Sequence, residues 1–574
     1  MTTKKLLFGI LLAAAILRLA GLGSGDLIGS DEIFYGVRAI GMLDYDNAPK
    51  QSTPLEWFDP INRQNHIIPH PADLSLEGGI PLWTKLSFHD HPPLVFLAQH
   101  FSMQIFGENK FAFRLPSALA GILTVYLLYL LGKRLTSEKA SLAESRRAGL
   151  FSAAIAAVTV NSVHNSRLGL QEPILILLML ATVYFFTLAK DNKKHLLTTG
   201  IFAGLAMLAK YNAIILAPIF FTYILLFRRG WLKEKNLWLG ILLAIAVFSP
   251  VIIYNLGLYN ATSHFDFQLS YLLGQNVEVW QSAPGKENAG TLFNKMTAIV
   301  PNLAKFNSWP FLLISVAGLC WLTYRALKKD QPATFLLIIN GFLFLLIVVA
   351  IGPASRFLAM LTPFLALAAG NLLSQARLSA KPVITILVIF LAWELTYTTN
   401  TDILNYPVGP KHFAWSRLRY ENYRWGYNQL DDYLEKELGG KFPAFVLNQK
   451  YQFLDKIIDR DITQRKRLGD QPYSALFIYD DNLRDSARFW SLDRLQIYHG
   501  WPVIKAEGFA ELQKFELPPR TTYFIAPTDK VLVREGARLT TDGPALEQSL
   551  LKKGLSPIEI KNPKGEVAFK VYKF

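Results

Sequence analysis

Apolar stretches of roughly twenty residues recur along this chain, separated by short polar breaks. That is about the length a helix needs to cross the hydrocarbon of a bilayer. The pattern predicts eleven spans, at 5–22, 112–132, 147–163, 173–189, 196–210, 212–228, 237–257, 304–324, 333–351, 355–375 and 382–399. A further apolar run at 94–106 reads instead as a helix lying at the interface or packed against the bundle, because a span there would invert every later loop.

The distribution of basic residues supports this register. With the N-terminus in the cytoplasm, the inner loops carry Lys133, Arg134, Lys139, Arg146 and Arg147, then Lys190, Lys193 and Lys194. Arg228, Arg229, Lys233 and Lys235 follow, and Arg325, Lys328, Lys329, Arg377 and Lys381 complete the set. Each short basic cluster falls on the same side, as expected for cytoplasmic loops. Three long pieces fall on the other side: 23–111, 258–303 and 401–574. The last has the composition of a soluble domain, with strand-like runs at 444–447, 475–479, 523–526 and 568–572 and a helical stretch at 429–438. The expected architecture is therefore a polytopic α-helical membrane domain over 1–400, with outer loop 23–111 part of it, and an extracytoplasmic α/β domain over 401–574.

Composition agrees. The chain has 574 residues, of which 51% are hydrophobic, an excess that fits many spans rather than a soluble fold. The net charge of +15 sits mostly in the loops between apolar segments, so it reads as a topology signal and not as a nucleic-acid surface. A single cysteine, Cys320, excludes an intrachain disulfide and a cysteine-based metal site. The first apolar run follows Lys4 and Lys5 as in a signal peptide, but no convincing small-residue cleavage site follows it, and it is read as a retained helix.

In this topology the polar residues that are costly near lipid converge on one face. Asp31, Glu32, Lys85, His89, Asp90 and His91 lie on the first outer loop, and Arg114 opens the second span. Asn165, Arg167 and Glu172 sit at the next outer turn, Lys210, Tyr211 and Asn212 at the end of the fifth span, His264 and Asp266 after the seventh, and Arg356 at the start of the tenth. A carboxylate there can take a proton from a hydroxyl nucleophile. Cations at the lipid boundary can hold a phosphate. Together they suit transfer of a group from a lipid phosphate to an alcohol. If the group is a sugar, the oxocarbenium-like transition state favours nearby negative charge.

The words around these residues carry a family resemblance. Gly29-Ser30-Asp31-Glu32-Ile33-Phe34-Tyr35 resembles the Asp-Glu motif in the first outer loop of GT-C glycosyltransferases. His89-Asp90-His91-Pro92-Pro93-Leu94, Phe106-Gly107-Glu108-Asn109 and Phe113-Arg114-Leu115-Pro116-Ser117 are similar to glycosyltransferase family 39, which includes protein O-mannosyltransferases and the lipid A aminoarabinose transferase. Ser166-Arg167-Leu168-Gly169-Leu170-Gln171-Glu172-Pro173, Gly204-Leu205-Ala206-Met207-Leu208-Ala209-Lys210-Tyr211 and His264-Phe265-Asp266-Phe267 extend the ordered set over about 1–375. The resemblance implies an inverting transferase that uses a polyprenyl-phosphate sugar donor and a hydroxyl acceptor (glycolipid, polysaccharide or protein), facing the periplasm, cell exterior or endoplasmic reticulum lumen; the lack of a disulfide in an external domain of this size favours a prokaryotic plasma membrane. By motif position it implies Asp31 as general base, Glu32 in support and Glu172 as a second acidic group. It gives His91, Lys85, Lys210, Tyr211 and Arg356 to substrate and lipid phosphate, and Asp90 and His264 to a divalent ion. Relatives often carry Lys where this chain has His91, and a neutral imidazole holds phosphate less well.

Each residue also has a simpler reading. Asp31 and Glu32 suit a helix N-terminus, and Glu172 before Pro173 suits a helix start. Lys210 suits a snorkelling lysine. Asp90 and His264 suit packing of the outer loops. A transporter or flippase of a lipid-linked substrate is the rival from another class, although no inverted repeat is evident.

Overall fold

The computed structural model describes residues 3–27, 30–42, 82–88, 90–275, 291–375, 381–422, 424–447, 452–483, 488–512, 518–531 and 539–574. His89 and Arg377 lie outside them. In chain order the helices begin with α1 (Thr3–Leu19), α2 (Ser30–Ile40), α3 (Leu94–Phe106), α4 (Lys110–Arg134), α5 (Leu142–Val158), α6 (Val160–Arg167) and α7 (Glu172–Leu188). They continue with α8 (His195–Ala209), α9 (Leu216–Phe227), α10 (Lys235–Thr262), α11 (Phe267–Leu272), α12 (Leu292–Phe306) and α13 (Trp309–Leu327). The set up to residue 402 ends with α14 (Gln331–Leu346), α15 (Ser355–Leu358), α16 (Thr362–Gln375) and α17 (Lys381–Asp402).

Contacts divide the chain into two compact units, one of Met1–Leu22 with Leu86–Tyr420, the other of Gly23–Lys85 with Glu421–Phe574. The division differs from a cut at residue 400: the start of the first outer loop belongs with the tail.

The first unit is a helical bundle. Among the described residues five helices are long and apolar enough to cross a membrane, and the α6–α7 pair, bent by 118°, makes a sixth if counted as one span. Every stretch expected to span is helical, but several are interrupted. The stretch 147–163 breaks at Thr159, whose hydroxyl bonds back to the Ile155 carbonyl at 2.7 Å. The stretch 304–324 breaks at Asn307 and restarts at Ser308, whose Oγ accepts from the Phe311 amide at 3.1 Å. The stretches around 195–209 and 211–227 are shorter apolar helices. Helix α3 packs one face, including Val95, Phe96, Gln99 and Met103, and leaves Phe101, Ile105 and Phe106 exposed. Close helix seams use glycine, as is common in membranes. A Cβ on Gly132 would stand 2.8 Å from the Gly149 Cα between α4 and α5, and one on Gly200 would stand 1.9 Å from the Gly240 oxygen between α8 and α10.

The second unit is α/β. It comprises α2 and, further along the chain, α18 (Tyr427–Leu438), β1 (Lys441–Pro443), α19 (Gln452–Leu468), β2 (Gln471–Tyr473), β3 (Ala475–Tyr479), α20 (Arg494–His499), β4 (Val503–Lys505), α21 (Ala506–Leu512), β5 (Thr521–Pro527), α22 (Asp542–Lys552), β6 (Ile558–Lys561) and β7 (Val567–Lys573). The larger sheet has order β4-β3-β5-β7-β6. Its β3 pairs in parallel with β4 and β5, and β7 runs antiparallel to β5 and β6. Alternation along β3 fills both faces: Ala475, Phe477 and Tyr479 pack with Leu430 and Leu434 of α18, while Leu476 and Ile478 pack with Ala506 and Leu550. One expected strand is displaced. Residues 444–447 are not extended, because the ladder runs over Lys441–Pro443 against β2 and closes with the Ala444 amide donating to the Tyr473 carbonyl at 3.0 Å.

Candidate active site

In the bundle the chemistry gathers where helices break. Helix α6 ends at Arg167 and α7 starts at Glu172, with Pro173 in its first turn, where a missing N–H costs nothing. The 118° bend between them buries Glu172 completely. Lys210 caps the C-terminus of α8 in an extended conformation, φ −165° and ψ 140°. Its ammonium meets Glu172 Oε1 at 2.5 Å. The second carboxylate oxygen, Oε2, is buried without a hydrogen-bond partner among the described residues, and so are both amide atoms of the adjacent Gln171. Buried polar atoms left in this way are costly unless something else satisfies them.

A second cation joins this pair. Lys210 Nζ lies 5.2 Å from the centre of the Phe357 ring, and the Arg356 guanidinium 4.8 Å from the same centre. Two cations thus share one aromatic ring beside a buried carboxylate. The turn just before α15, the helix of Arg356 and Phe357, is tied to α12 by Asn302 Nδ2, which donates to the Pro353 carbonyl at 3.1 Å.

Tyr211 turns to a different partner. Its hydroxyl donates to Asp266 Oδ2 at 2.5 Å, and Asn255 Nδ2 donates to the same oxygen at 2.9 Å. Asn255 Oδ1 accepts from the Asp266 amide at 2.9 Å, closing a reciprocal bond. Burial pushes the Asp266 carboxyl above the usual range, the hydrogen bonds from Leu269, Tyr211 and Asn255 pull it back in part, and the charge of Asp90 raises it further. Asp90 itself meets His91 Nδ1 at 3.0 Å. His264 Nδ1 is 2.8 Å from the Phe265 carbonyl. Among the described residues no group of three or more His, Cys, Asp or Glu side chains could hold a metal ion.

Other suspected residues hold backbone carbonyls of the bundle. Arg114 Nη1 donates to the Leu22 carbonyl at 3.1 Å, tying the end of the first helical segment to α4. Arg167 donates to the Leu17 carbonyl at 2.8 Å and the Gly21 carbonyl at 3.2 Å. Asn165 donates to the Asn161 carbonyl at 2.8 Å, one turn back on its own helix.

Asp31 and Glu32 belong to the second unit. They form the first turn of α2, where carboxylates favour the exposed backbone N–H groups. Asp31 is half-buried and Glu32 buried. The helix is held by the tail: Phe34 packs edge-on against Phe489 with ring centres 5.7 Å apart, and Tyr498 donates to the Val37 carbonyl at 2.6 Å. Lys85 ends a short 3-10 turn, Leu82–Lys85, in the same unit. Sequence reasoning gave the tail no part in placing the acidic pair. It also passed over Asn255 and Phe357. Asn255 had a usable signal, a polar side chain inside an apolar helix; Phe357 had none.

Known proteins are similar to the chain in part of its sequence and in its fold. Residues 90–254 match the family model described as dolichyl-phosphate-mannose-protein mannosyltransferase. The putative mannosyltransferase YkcB of Bacillus subtilis (strain 168) is 27% identical over 217 residues, which are 34% of this chain and 29% of that protein. The match thus spans less than a third of the relative's length. Among solved structures, ArnT from Cupriavidus metallidurans, in its apo state and bound to undecaprenyl phosphate, superposes with a TM-score of 0.54 at 12% identity, over 99% of this chain and 97% of that one. The chain thus has a GT-C-like fold, and its residues 90–254 resemble those of family 39 glycosyltransferases. Five of its described helices are long and apolar enough to cross a membrane.

Proposed function

We propose that the protein is an inverting transferase that moves a sugar from a polyprenyl phosphate to a hydroxyl acceptor. One observation carries this reading: Lys210 and Arg356 share the Phe357 ring beside the buried Glu172, in a bundle of GT-C fold. Two cations over an aromatic ring suit the phosphate of a lipid at the point where its apolar chain begins. The ArnT structure that the chain resembles binds undecaprenyl phosphate, which supports a polyprenyl donor.

Asp31 takes the proton of the acceptor hydroxyl, with Glu32 supporting its position. The freed oxygen bonds to the anomeric carbon, the bond from that carbon to the phosphate oxygen breaks, and the phosphate leaves with the electron pair. Attack opposite the leaving group inverts the centre. Lys210 and Arg356, with Lys85, His91 and Tyr211 as further contacts, offset the charge that grows on the leaving phosphate. Glu172 holds Lys210 in place and adds negative charge near the sugar. A divalent ion on Asp90 and His264 is a separate proposal, tested by metal analysis of the purified protein, and no step depends on it.

The basic loops support a cytoplasmic N-terminus, with 23–111, 258–303 and 401–574 outside the cytoplasm. A single cysteine in a chain with so large an outer part favours a prokaryotic plasma membrane. Single cysteines introduced into the tail of a Cys320→Ser background should react with a membrane-impermeant maleimide in intact cells. Protection of all of them would reverse the orientation.

The activity test is transfer from radiolabelled polyprenyl-phosphate sugars by purified protein, with acceptor-containing membranes supplied. Consumption of donor that vanishes in folded Asp31→Asn supports both the reaction and the base. Passage of intact donor across vesicles without consumption would replace the transferase reading with a transporter.

A further inference from the structure

Far from this site the bundle holds a cavity that the proposed transfer reaction does not use. It has a volume of about 460 Å³ and is lined where α4 and α7 end, by the 133–138 loop, and by aromatic residues of neighbouring helices. Helix α7 begins at Glu172 and runs 17 residues to Leu188, so the cavity lies about 25 Å along it from the Glu172–Lys210 pair.

The lining has two zones. The floor is aromatic: Phe186 packs against Trp231, Tyr223 and Phe335 with ring centres 5.5, 5.7 and 5.7 Å away. The rim is charged, with Lys133, Arg134 and Lys190 against Glu138 and Asp191. Both carboxylates are already engaged, Glu138 by Lys190 at 2.6 Å and Asp191 by Arg134. Lys133 is left over: among the described residues it makes no ion pair, and its ammonium lies 5.3 Å from the centre of the Tyr129 ring. Outside the rim, Lys193 adds a further cation over the Trp231 ring at 4.3 Å.

A cavity with an apolar aromatic floor and a net positive rim, at the basic end of a membrane bundle, matches one abundant chemistry. We propose that it binds an anionic phospholipid of the surrounding bilayer, with the phosphodiester at Lys133 and the upper acyl region on the Phe186–Trp231 floor. Cationic loops attract anionic headgroups at such boundaries, and aromatic side chains settle at the same depth. A zwitterionic lipid of the same shape lacks the net charge that the rim would neutralise. The proposal does not depend on which leaflet this end faces, nor on the transfer reaction.

The test uses the full-length protein in a neutral detergent. Thermal unfolding is followed with added phosphatidylglycerol, phosphatidylcholine or inorganic phosphate, for wild type and for Lys133→Gln, which leaves both rim ion pairs intact. The expected result is a rise in Tm of several degrees with phosphatidylglycerol alone, at least halved in the variant. An equal rise with phosphatidylcholine, a full rise with inorganic phosphate, or an undiminished rise in Lys133→Gln would each overturn it. A second readout needs no variant. Phosphatidylglycerol carrying a photoreactive acyl chain should label wild-type peptides containing Phe186, Tyr223 or Trp231, and labelling confined to other helices would also overturn the assignment.

Discussion

Lys210 and Glu172 are ion-paired at 2.5 Å although 38 residues separate them, and the carboxylate is wholly buried. Removing one member strands the other charge away from water. Such breaks typically cost about 3 kcal/mol or more. Glu172→Ala and Lys210→Met should each lower stability by that order, and the double variant should lose less than the sum of the two. Chemical unfolding in detergent measures this, and strictly additive losses would show that the two side chains do not interact.

Arg356 and Lys210 approach the same ring, so under the proposed function their contributions to donor binding should be coupled through Phe357. A charge-assisted contact to phosphate contributes roughly 1.5 kcal/mol, about tenfold in affinity. Arg356→Ala should raise KM for the lipid donor by about that factor, and Phe357→Leu by less. Unchanged KM in both variants would remove the phosphate from this place.

The α8–α10 seam leaves no space for a side chain. Gly200→Ala would put a methyl 1.9 Å from the Gly240 oxygen, and Gly240→Ala one 2.4 Å from the Leu196 oxygen. Either forces the helices apart, at a cost of roughly 1–3 kcal/mol. Gly341 is a control, since its Cβ would meet nothing within 4 Å. If Gly341→Ala destabilised as much as Gly200→Ala, close approach would not be the cause.

Asp26 caps α18 from far away in sequence. Its carboxylate accepts from the amides of Trp425 at 2.5 Å and of Gly426 and Asn428 at 3.0 Å. Losing a cap costs about 1–2 kcal/mol, and this one leaves several buried donors unsatisfied. Asp26→Ala should speed hydrogen exchange across α18 while leaving α7 and α8 as slow as before. Uniform speeding in both units would point to global unfolding instead.

Acid should loosen the second unit first around α19. Burial pushes the Asp461 carboxyl up, but the hydrogen bond and charge of His499 and the charge and hydrogen bond of Arg465 outweigh it, and the net shift is downward. A carboxylate whose folded pKa is depressed adds stability that is complete above its unfolded value, near 3.8, and is lost as pH falls through the folded value. Asp461→Asn should therefore be less stable than wild type at neutral pH, and the gap should close below about 3.8. A gap that stays constant to lower pH would show that the charge is not what matters.

Much of this was legible in the residues. The apolar periods located the long apolar helices of the bundle but not α11 or most of α12, which lie in the expected outer piece 258–303, and alternation at 475–479 gave β3 its bounds. The short motifs marked Glu172, Lys210 and Arg356, which the fold brings together or sets on one ring. The helix breaks at Thr159 and Asn307 were not legible. A hydroxyl that bonds to its own helix and a serine cap interrupt a span without interrupting its hydrophobicity. Strands β4 and β6, of three and four residues, carry too little alternation to stand out. The Tyr211–Asp266–Asn255 cluster joins side chains from separate elements, a relation that spacing along the chain does not encode.

The second unit is assembled from segments far apart in the chain: Asn428 donates to Asp26 across 402 positions, and α2 rests on Phe489 and Tyr498. The acidic helix is translated long before the residues that seat it. A nascent chain halted before residue 490 lacks the Tyr498 contact that holds α2 and with it Asp31. A cut near residue 400 would part that helix from its seat.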